Sequence, residues 1–341
     1  MRARRIVWVV VIAGLCVPLW AQEDLAALEP CPPPEGSCAE DVALHVLDAQ
    51  IGTWERMGSV IEGDPALLPE LAPEDPRLLE IYRPVCAAGA QYRNLEGPGE
   101  GFVTILAFPS FLDAVGYFGA QRTEDATRVL VTSAAYRDAG VLHMQSSFYY
   151  FRIEVTGVPE QALPADQYLG ARFEVRLPQR PDLPRPLRIM PRGWINSLTV
   201  SYEPVEILGN GAAPMAAAVR REIGKAQMRV RVIPAADEDE AARLYTEALG
   251  RGLERGQAWD VPRLGEEAFR SELDGDLWLV MLQDSFLVDL TSDGEMSDAE
   301  AVMRLMGTAV RVSRPLPGDV IGPLCLPAIE PAEAGSLSPD R

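Results

Sequence analysis

The sequence predicts an α+β fold of two related strand-helix-hairpin repeats, with mainly antiparallel sheets and helices on one side of each sheet. The first observation is that VTILAFPSFLDAVGYF (residues 103–118) and VRVIPAADEDEAARLY (230–245) share one pattern. The second is that residues 135–155 and 268–290 each hold two apolar runs around a short polar turn. The same order in both places favours duplication of one folding unit. Two unrelated α+β segments with ordinary patterns are the alternative.

Each copy of the pattern begins as a strand. Apolar residues alternate, which is the period of a strand with one buried face. The alternating residues are Val103 and Ile105 in the first copy and Val230 and Val232 in the second. A proline, Pro109 or Pro234, then ends the strand in each copy.

A capped helix follows in each copy. Ser110 precedes Asp113 by three residues, and Asp237 precedes Glu240 by three. These pairs are typical of capping boxes, in which the first side chain accepts a bond from an unpaired helix amide. Beyond them the apolar residues take helical spacing, which predicts one buried helix face in each copy. They are Phe111, Ala114, Val115 and Phe118, then Ala241, Leu244, Tyr245, Ala248 and Leu249.

The composition along the chain predicts six segments. They are a signal peptide (1–21), an N-terminal segment packing on the first repeat (22–100), the first repeat (101–176), a Pro-rich linker (177–215), the second repeat (216–312) and a Pro-rich tail (313–341). LGARFEVRLP at the end of the first repeat fits a strand by alternation. It also fits a helix, because Leu169, Phe173 and Leu177 share one helical face.

The first residues are typical of a secretory signal peptide. Arg2, Arg4 and Arg5 precede an apolar run from residue 6 to 19, and Ala21 is a small residue at the cleavage position. An uncleaved anchor is the alternative, and Leu15 disfavours lipid attachment at Cys16. We therefore expect an exported protein, periplasmic or extracellular, with no membrane span after cleavage.

The acidic charge and the cysteines fit this location. Cleavage removes three arginines, so the formal charge of −19 becomes −22, which disfavours nucleic acid and anionic lipid as partners. Four cysteines remain, and an exported protein favours disulfides over free buried thiols. CPPPEGSC favours a pair between Cys31 and Cys38, which leaves Cys86 with Cys325.

Catalytic and cofactor motifs are scarce. The chain has two histidines, His45 and His143, and lacks HExxH and G-x-S-x-G, while GPGEG lacks the Gly-Lys-Ser/Thr of a phosphate loop. The fifty acidic residues nominate no particular pair. FYYF (148–151) is a candidate groove lining, although core packing on both strand faces is favoured. The sequence therefore assigns no catalytic residue, metal site or cofactor.

One stretch, DLTSDGEMSDAE (289–300), follows the spacing of a calcium loop. The positions that match are Asp289, Thr291, Asp293, Gly294, Met296, Ser297 and Glu300. The preceding DSFLVDL is strand-like, whereas a calcium-binding helix-loop-helix needs a helix there. The favoured interpretation is a strand, an exposed acidic turn and a helix capped by Ser297 with Glu300 three residues on.

Several stretches together resemble an exported bacterial domain family of unknown function. They are IGTWERMGSVIEGD (51–64), PEDPRLLEIYRPVCAAGAQYR (73–93), DAVGYFGAQR (113–122) and GVLHMQSSFYYFRI (140–153). In that family a Trp-containing start and a short helix precede two α+β repeats, so the resemblance spans residues 51–310. The family's helix often carries an Asn-Gly pair, but here Tyr82, Arg83 and Pro84 stand there. The resemblance implies no activity and no site residues.

The leading functional hypothesis is a non-catalytic binding or accessory protein of the bacterial envelope. Its partner would be another envelope protein or a small ligand. One alternative is an exported hydrolase that uses carboxylates on a polysaccharide-type substrate. The other is a small-ligand or calcium-binding carrier that uses a cleft between the two domains.

Overall fold

The computed structural model describes most of the chain between residues 46 and 313. The described ranges are 46–65, 71, 76–131, 134–157, 165–176, 183–191, 193–205, 214–223, 225–255, 257–273 and 275–313. They contain fifteen strands, in antiparallel sheets of eight and seven strands, and six helices. This confirms the α+β class and the mainly antiparallel sheets. We call residues 46–176 the first half and residues 183–313 the second half.

The first half holds the eight-stranded sheet, in the order β1-β2-β3-β4-β8-β7-β6-β5. Its strands are β1 (Gln50–Ile51), β2 (Trp54–Gly63), β3 (Cys86–Asn94), β4 (Glu100–Ala107), β5 (Thr127–Arg128), β6 (Ala134–Asp138), β7 (Val141–Ser146) and β8 (Tyr149–Thr156). Its helices are α1 (Arg77–Tyr82), α2 (Phe111–Ala120) and α3 (Ala165–Glu174). Residues 46–100, predicted as a packing segment, thus supply β1 to β3 of this sheet.

The second half holds the seven-stranded sheet, in the order β12-β13-β14-β15-β11-β10-β9. Its strands are β9 (Val200–Pro204), β10 (Met215–Ile223), β11 (Ala226–Pro234), β12 (Trp259–Asp260), β13 (Glu267–Leu273), β14 (Asp276–Gln283) and β15 (Phe286–Ser292). Its helices are α4 (Arg185–Ile189), α5 (Glu238–Glu254) and α6 (Met296–Val312).

Helices cover both faces of each sheet, so the prediction of helices on one side was wrong. In the first half, α3 packs on the face with Val103, and α2 packs on the face with Leu106. In the second half, α5 and α6 likewise pack on opposite faces. The physical reason is that central strands such as β14 are apolar at consecutive positions, and a sheet with two apolar faces needs two layers of cover.

The two predicted N-caps of α2 and α5 are confirmed. The Ser110 hydroxyl accepts a 3.0 Å bond from the Asp113 amide, and Asp237 Oδ1 accepts a 2.8 Å bond from the Glu240 amide. The cap predicted at Ser297 was wrong. Helix α6 already begins at Met296, and its N-cap Glu295 makes no side-chain capping bond.

The described part of the predicted Pro-rich linker is folded as part of the second half. It contains α4 and β9, and it buries Leu187, Ile189 and Trp194 in the same core as α6. The prolines around α4 do not prevent this, because Pro186 lies in the first turn of that helix, where a backbone N–H is not needed.

The two halves meet where α2 of the first half lies along β9, the edge strand of the second half. The Arg122 guanidinium, just after α2, donates bonds of 2.8 and 3.4 Å to the carbonyls of Ser197 and Val200. Helix α2 therefore covers the open edge of the second sheet, as folded proteins commonly require.

Candidate ligand-binding cleft

A cleft of about 390 Å³ lies between the two halves, next to the junction of α2 and β9. The first half contributes lining residues that include Phe111 and Ser147, and the second half contributes lining residues that include Leu187 and Ser197. The volume falls in the range of small-molecule sites, about 300–1,000 Å³. We refer to it below as the cleft.

One wall of the cleft is apolar and comes from helices. Phe111 and Val115 are four residues apart on α2, so they lie one above the other on the same helix face. The Ser110 cap fixes where this helix begins and hence where that face points. Leu187 of α4 and Ile195 supply the facing apolar surface.

The rim of the cleft is formed by the segment after β5. Val129 is buried, and its amide donates a 3.2 Å bond to the Ala135 carbonyl. Leu130, the next residue, is 81% exposed although it is large and apolar. The rim thus offers uncovered apolar surface at the entrance.

The polar side of the cleft comes from the end of β7 and the turn that follows. Gln145, Ser146 and Ser147 line it and are buried. Ser147 has a positive φ of 55°, and Gln145 Nε2 donates a 2.7 Å bond to its carbonyl. This bond holds the turn in a backbone conformation that serine seldom adopts.

Ser197 is an unsatisfied polar group in the cleft lining. Its neighbours form a tight turn, in which Asn196 Oδ1 accepts a 2.8 Å bond from the Leu198 amide. Ser197 is 4% exposed, and its hydroxyl has no hydrogen-bond partner among the residues that the structure describes. Leaving a buried polar group unpaired costs about 1–3 kcal/mol, so this hydroxyl would gain from a ligand acceptor.

The charge at the cleft is positive. Of the described residues that line it, Arg128 is the one charged side chain, and no carboxylate is among them. Arg122 donates a 2.8 Å hydrogen bond to the backbone carbonyl of Ser197. Burial lowers the pKa of the Arg122 guanidinium. Neither arginine forms an ion pair with a described carboxylate. Within the described residues, the cleft lining of this strongly acidic chain therefore carries a positive charge and no carboxylate paired with it.

The predicted disulfide residues do not line the cleft within the described structure. Cys86 begins β3, pairs across the sheet with Ala107 and is 8% exposed. Cys31, Cys38 and Cys325 lie outside the described residues. The pairing of the cysteines therefore stays a prediction.

His143 is a core residue rather than a cleft residue. Its ring stacks on Tyr136 with centroids 4.8 Å apart, and Nδ1 lies 2.7 Å from the Tyr150 hydroxyl. Burial, with help from Arg152, lowers the pKa of His143 to about 4. His45 lies outside the described residues.

The aromatic run 148–151 is also core rather than groove. Tyr150 and Phe151 are both buried and contribute to core clusters on opposite faces of the first sheet. Phe151 stacks on Phe173 of α3, with centroids 6.1 Å apart. These rings hold the two helix layers on the sheet.

The calcium-like stretch uses its oxygens for contacts within the protein. Asp289 is buried and accepts a 2.7 Å bond from Arg231 Nε. Asp293 accepts a 2.7 Å bond from the Gln227 amide, and Glu300 pairs with Arg304. In the part of the chain that the structure describes, no cluster of three His, Cys, Asp or Glu side chains fits a metal ion.

Two described carboxyl groups have clearly raised pKa values, and both lie outside the cleft lining. Burial raises the pKa of Asp113, whose carboxylate accepts a 2.5 Å bond from the Ser110 hydroxyl. Burial also raises the pKa of Asp289, against the opposing effect of Arg231. Each of the two is held by a partner within its own half.

Comparison of the chain with protein-family models, with curated proteins and with solved structures gives no match. Within the described ranges, no helix has the length and apolar character that crossing a membrane requires. A cleft between the two domains was one alternative from the sequence, but no residue was predicted to line it. The residue that could have indicated it is Leu130, which lies with Val129 and Val131 in a short apolar run between two strands.

Proposed function

We propose that this chain is an exported, non-catalytic binding protein of the bacterial envelope and that it binds a small ligand in the cleft. The observation that carries the proposal is the lining of the cleft. It joins a helical apolar wall to buried hydroxyl and amide groups, including the unpaired hydroxyl of Ser197. Largely apolar clefts with a few convergent polar groups are the usual form of ligand sites.

The distribution of acids supports binding over hydrolysis. A carboxylate-based hydrolase needs two acids facing one substrate, one of them with a raised pKa. The two described carboxyls with raised pKa values, Asp113 and Asp289, are engaged by Ser110 and Arg231 respectively. Neither is among the described residues that line the cleft.

The strand order supports the proposed duplication, with the cleft between the two copies. Without β1, the first sheet runs β2-β3-β4-β8-β7-β6-β5 and the second runs β9-β10-β11-β15-β14-β13-β12. These orders correspond position by position, and α2 and α5 follow corresponding strands. A copied unit that has kept its topology, and whose two versions now meet at a cleft, accounts for the resemblance to two-repeat exported proteins.

Export is supported by the first residues, since Arg2 to Arg5 and the apolar run after them form a three-part secretory signal. Cleavage after Ala21 would leave a mature chain beginning at Gln22. N-terminal sequencing of the protein from its native envelope fraction would test this directly.

The binding proposal is tested by purifying the protein from its native envelope, denaturing it and identifying released small molecules by mass spectrometry. Leu130→Glu places a charge on the apolar rim without disturbing the core, because Leu130 is 81% exposed. Leu253→Glu is the matched control on α5, where the leucine is 57% exposed. We expect a near-stoichiometric compound from the wild type and from Leu253→Glu, and much less of it from Leu130→Glu.

Three results would contradict the proposal. Equal release from all three proteins would place the ligand elsewhere. A specific co-purifying protein, with no small molecule, would make the chain a partner-binding module. Conversion of the released compound by the purified protein would make it an enzyme.

A further inference from the structure

The charge and hydrogen-bonding groups of the cleft allow its ligand class to be named, and this inference rests on the proposed binding function. We infer that the cleft takes a small organic anion, a carboxylate with an apolar body. The apolar body would lie against Phe111, Val115 and Leu187, and the carboxylate would lie toward Arg128 and Ser197.

Arg128 provides the charge. It is exposed on β5, an edge strand, and it forms no ion pair with a described carboxylate. A planar guanidinium matches the geometry of a carboxylate through two parallel N–H bonds. In a chain with formal charge −19, an arginine left without an acid at a cleft favours an anionic ligand.

Ser197 provides a second, independent indication of a ligand. Ser197 is 4% exposed, it lines the same cleft, and its hydroxyl has no hydrogen-bond partner among the described residues, so this hydroxyl can donate to a ligand. The Arg122 guanidinium donates a 2.8 Å bond to the carbonyl of Ser197. This nearby positive charge makes the site more favourable for a negatively charged acceptor.

The apolar wall excludes ligands that are polar throughout. Phe111, Val115, Leu187 and Ile195 offer no hydrogen-bonding side-chain atom, so a sugar placed against them would lose its bonds to water. A hydrocarbon or aromatic body avoids that cost and gains about 25 cal/mol for each Å² of apolar surface that it buries. An amphipathic acid satisfies both sides of the cleft.

The test uses the full mature chain and two probes of equal length, decanoate and decanol, which displace the uncharged fluorescent dye Nile red. We expect decanoate to displace the dye at lower concentration than decanol. Added salt should weaken the binding of decanoate and leave the binding of decanol unchanged, because Arg128 is exposed and salt screens its charge.

Two substitutions separate the charge from the hydroxyl. Arg128→Ala should lower the affinity for decanoate about fivefold, which corresponds to roughly 1 kcal/mol for an exposed ion pair. The affinity for decanol should stay unchanged. Ser197→Ala should weaken decanoate by a similar factor of roughly five while leaving the stability of the fold unchanged or higher, because it removes an unpaired buried hydroxyl. Lys225→Glu is the charge control on an exposed turn and should change neither probe.

The outcomes distinguish this inference from the function on which it rests. Equal affinities for decanoate and decanol in the wild type would overturn the anion assignment and leave the cleft as an apolar site. If Lys225→Glu lowered the affinity for decanoate as much as Arg128→Ala, the effect would be one of net charge. That result would also overturn the anion assignment. Failure of the dye and both probes to bind the wild type would overturn the proposed function itself.

Discussion

The hydroxyl of Tyr82 donates a 2.7 Å hydrogen bond to the backbone carbonyl of Tyr202, a residue 120 positions further along the chain. Tyr82 ends α1 in the first half, and Tyr202 belongs to edge strand β9 in the second. Burial raises the pKa of Tyr82, so its phenol keeps its proton and stays a donor. The bond satisfies a carbonyl on the outer side of an edge strand, and it links the two halves where α2 covers β9.

Gly116 of α2 should tolerate no side chain, because α2 lies so close to β9. A Cβ added there would lie 2.5 Å from the Tyr202 carbonyl oxygen and even closer to the Tyr82 ring. We expect Gly116→Ala to lower the free energy of unfolding by about 1–3 kcal/mol, the usual cost of overpacking. Urea denaturation followed by circular dichroism would measure it.

The matched control is Gly250 of α5, which is exposed and has nothing within 4 Å of an added Cβ. Gly250→Ala should raise the free energy of unfolding by about 0.5 kcal/mol, because alanine favours the helix. If both glycines responded alike, the close approach of α2 to β9 would be refuted.

The buried ion pair between Arg231 and Asp289 should be costly to break and inexpensive to replace. The two side chains are 6% and 3% exposed and face each other across β11 and β15. Arg231→Met alone leaves a buried carboxylate without its partner, so we expect a loss of about 3–5 kcal/mol. Arg231→Met with Asp289→Leu should recover most of it, as a double-mutant cycle would show.

The exposed pair of Arg93 and Glu55 is the control for the buried one. Its side chains are 57% and 42% exposed, so Arg93→Met should cost less than about 1 kcal/mol. Equal losses for Arg93→Met and Arg231→Met would argue against the burial of the Arg231–Asp289 pair.

His143 should make the fold less stable in acid. Burial lowers its pKa from 6.5 to about 4, so above pH 6.5 it is neutral in both states and its contribution to stability is fully present. As the pH falls from 6.5 to 4, His143 is protonated in the unfolded chain but stays neutral in the folded chain. The free energy of unfolding therefore falls by about 3 kcal/mol, since each unit of pKa difference corresponds to ~1.4 kcal/mol.

Urea denaturation of the wild type and of His143→Gln at several pH values would isolate this effect. Glutamine keeps a hydrogen-bonding group near the Tyr150 hydroxyl but does not titrate. The difference in unfolding free energy between the two proteins should shrink as the pH falls from 7 to 4. A constant difference would mean that His143 titrates alike in the folded and unfolded states.

The cysteines should form two disulfides in the oxidising compartment to which we propose that the chain is exported. We expect Cys31 to pair with Cys38 and Cys86 with Cys325, a link that would tie the C-terminal tail to the start of β3. Peptide mapping without reduction should recover both cross-linked peptides. Alkylation of all four thiols before reduction would contradict this prediction.

The sequence was most informative where structure depends on near neighbours. The caps at Ser110 and Asp237 need only a side chain and an amide three residues on, and both formed as predicted. The segment LGARFEVRLP (169–178) was ambiguous, because its pattern fits two periods. The helix prevails, since Leu169 and Phe173 bury on one face against the sheet and Phe173 stacks on Phe151.

The lining of the cleft was beyond sequence reasoning because its residues are distant along the chain. Arg128 and Ser197 are ordinary residues in the sequence, and only the fold leaves Arg128 without a described acid and the Ser197 hydroxyl without a described hydrogen-bond partner. The calcium-like spacing misleads for a similar reason. Asp289 meets Arg231, which lies 58 residues earlier and which only the strand pairing brings into contact.

The way α2 covers the edge of β9 means that the second half depends on the first half for the cover of its sheet. Residues 183–313 produced alone would present β9 with bare backbone amides and carbonyls, ready to recruit a strand from another molecule. This fragment should therefore self-associate rather than remain a monomer.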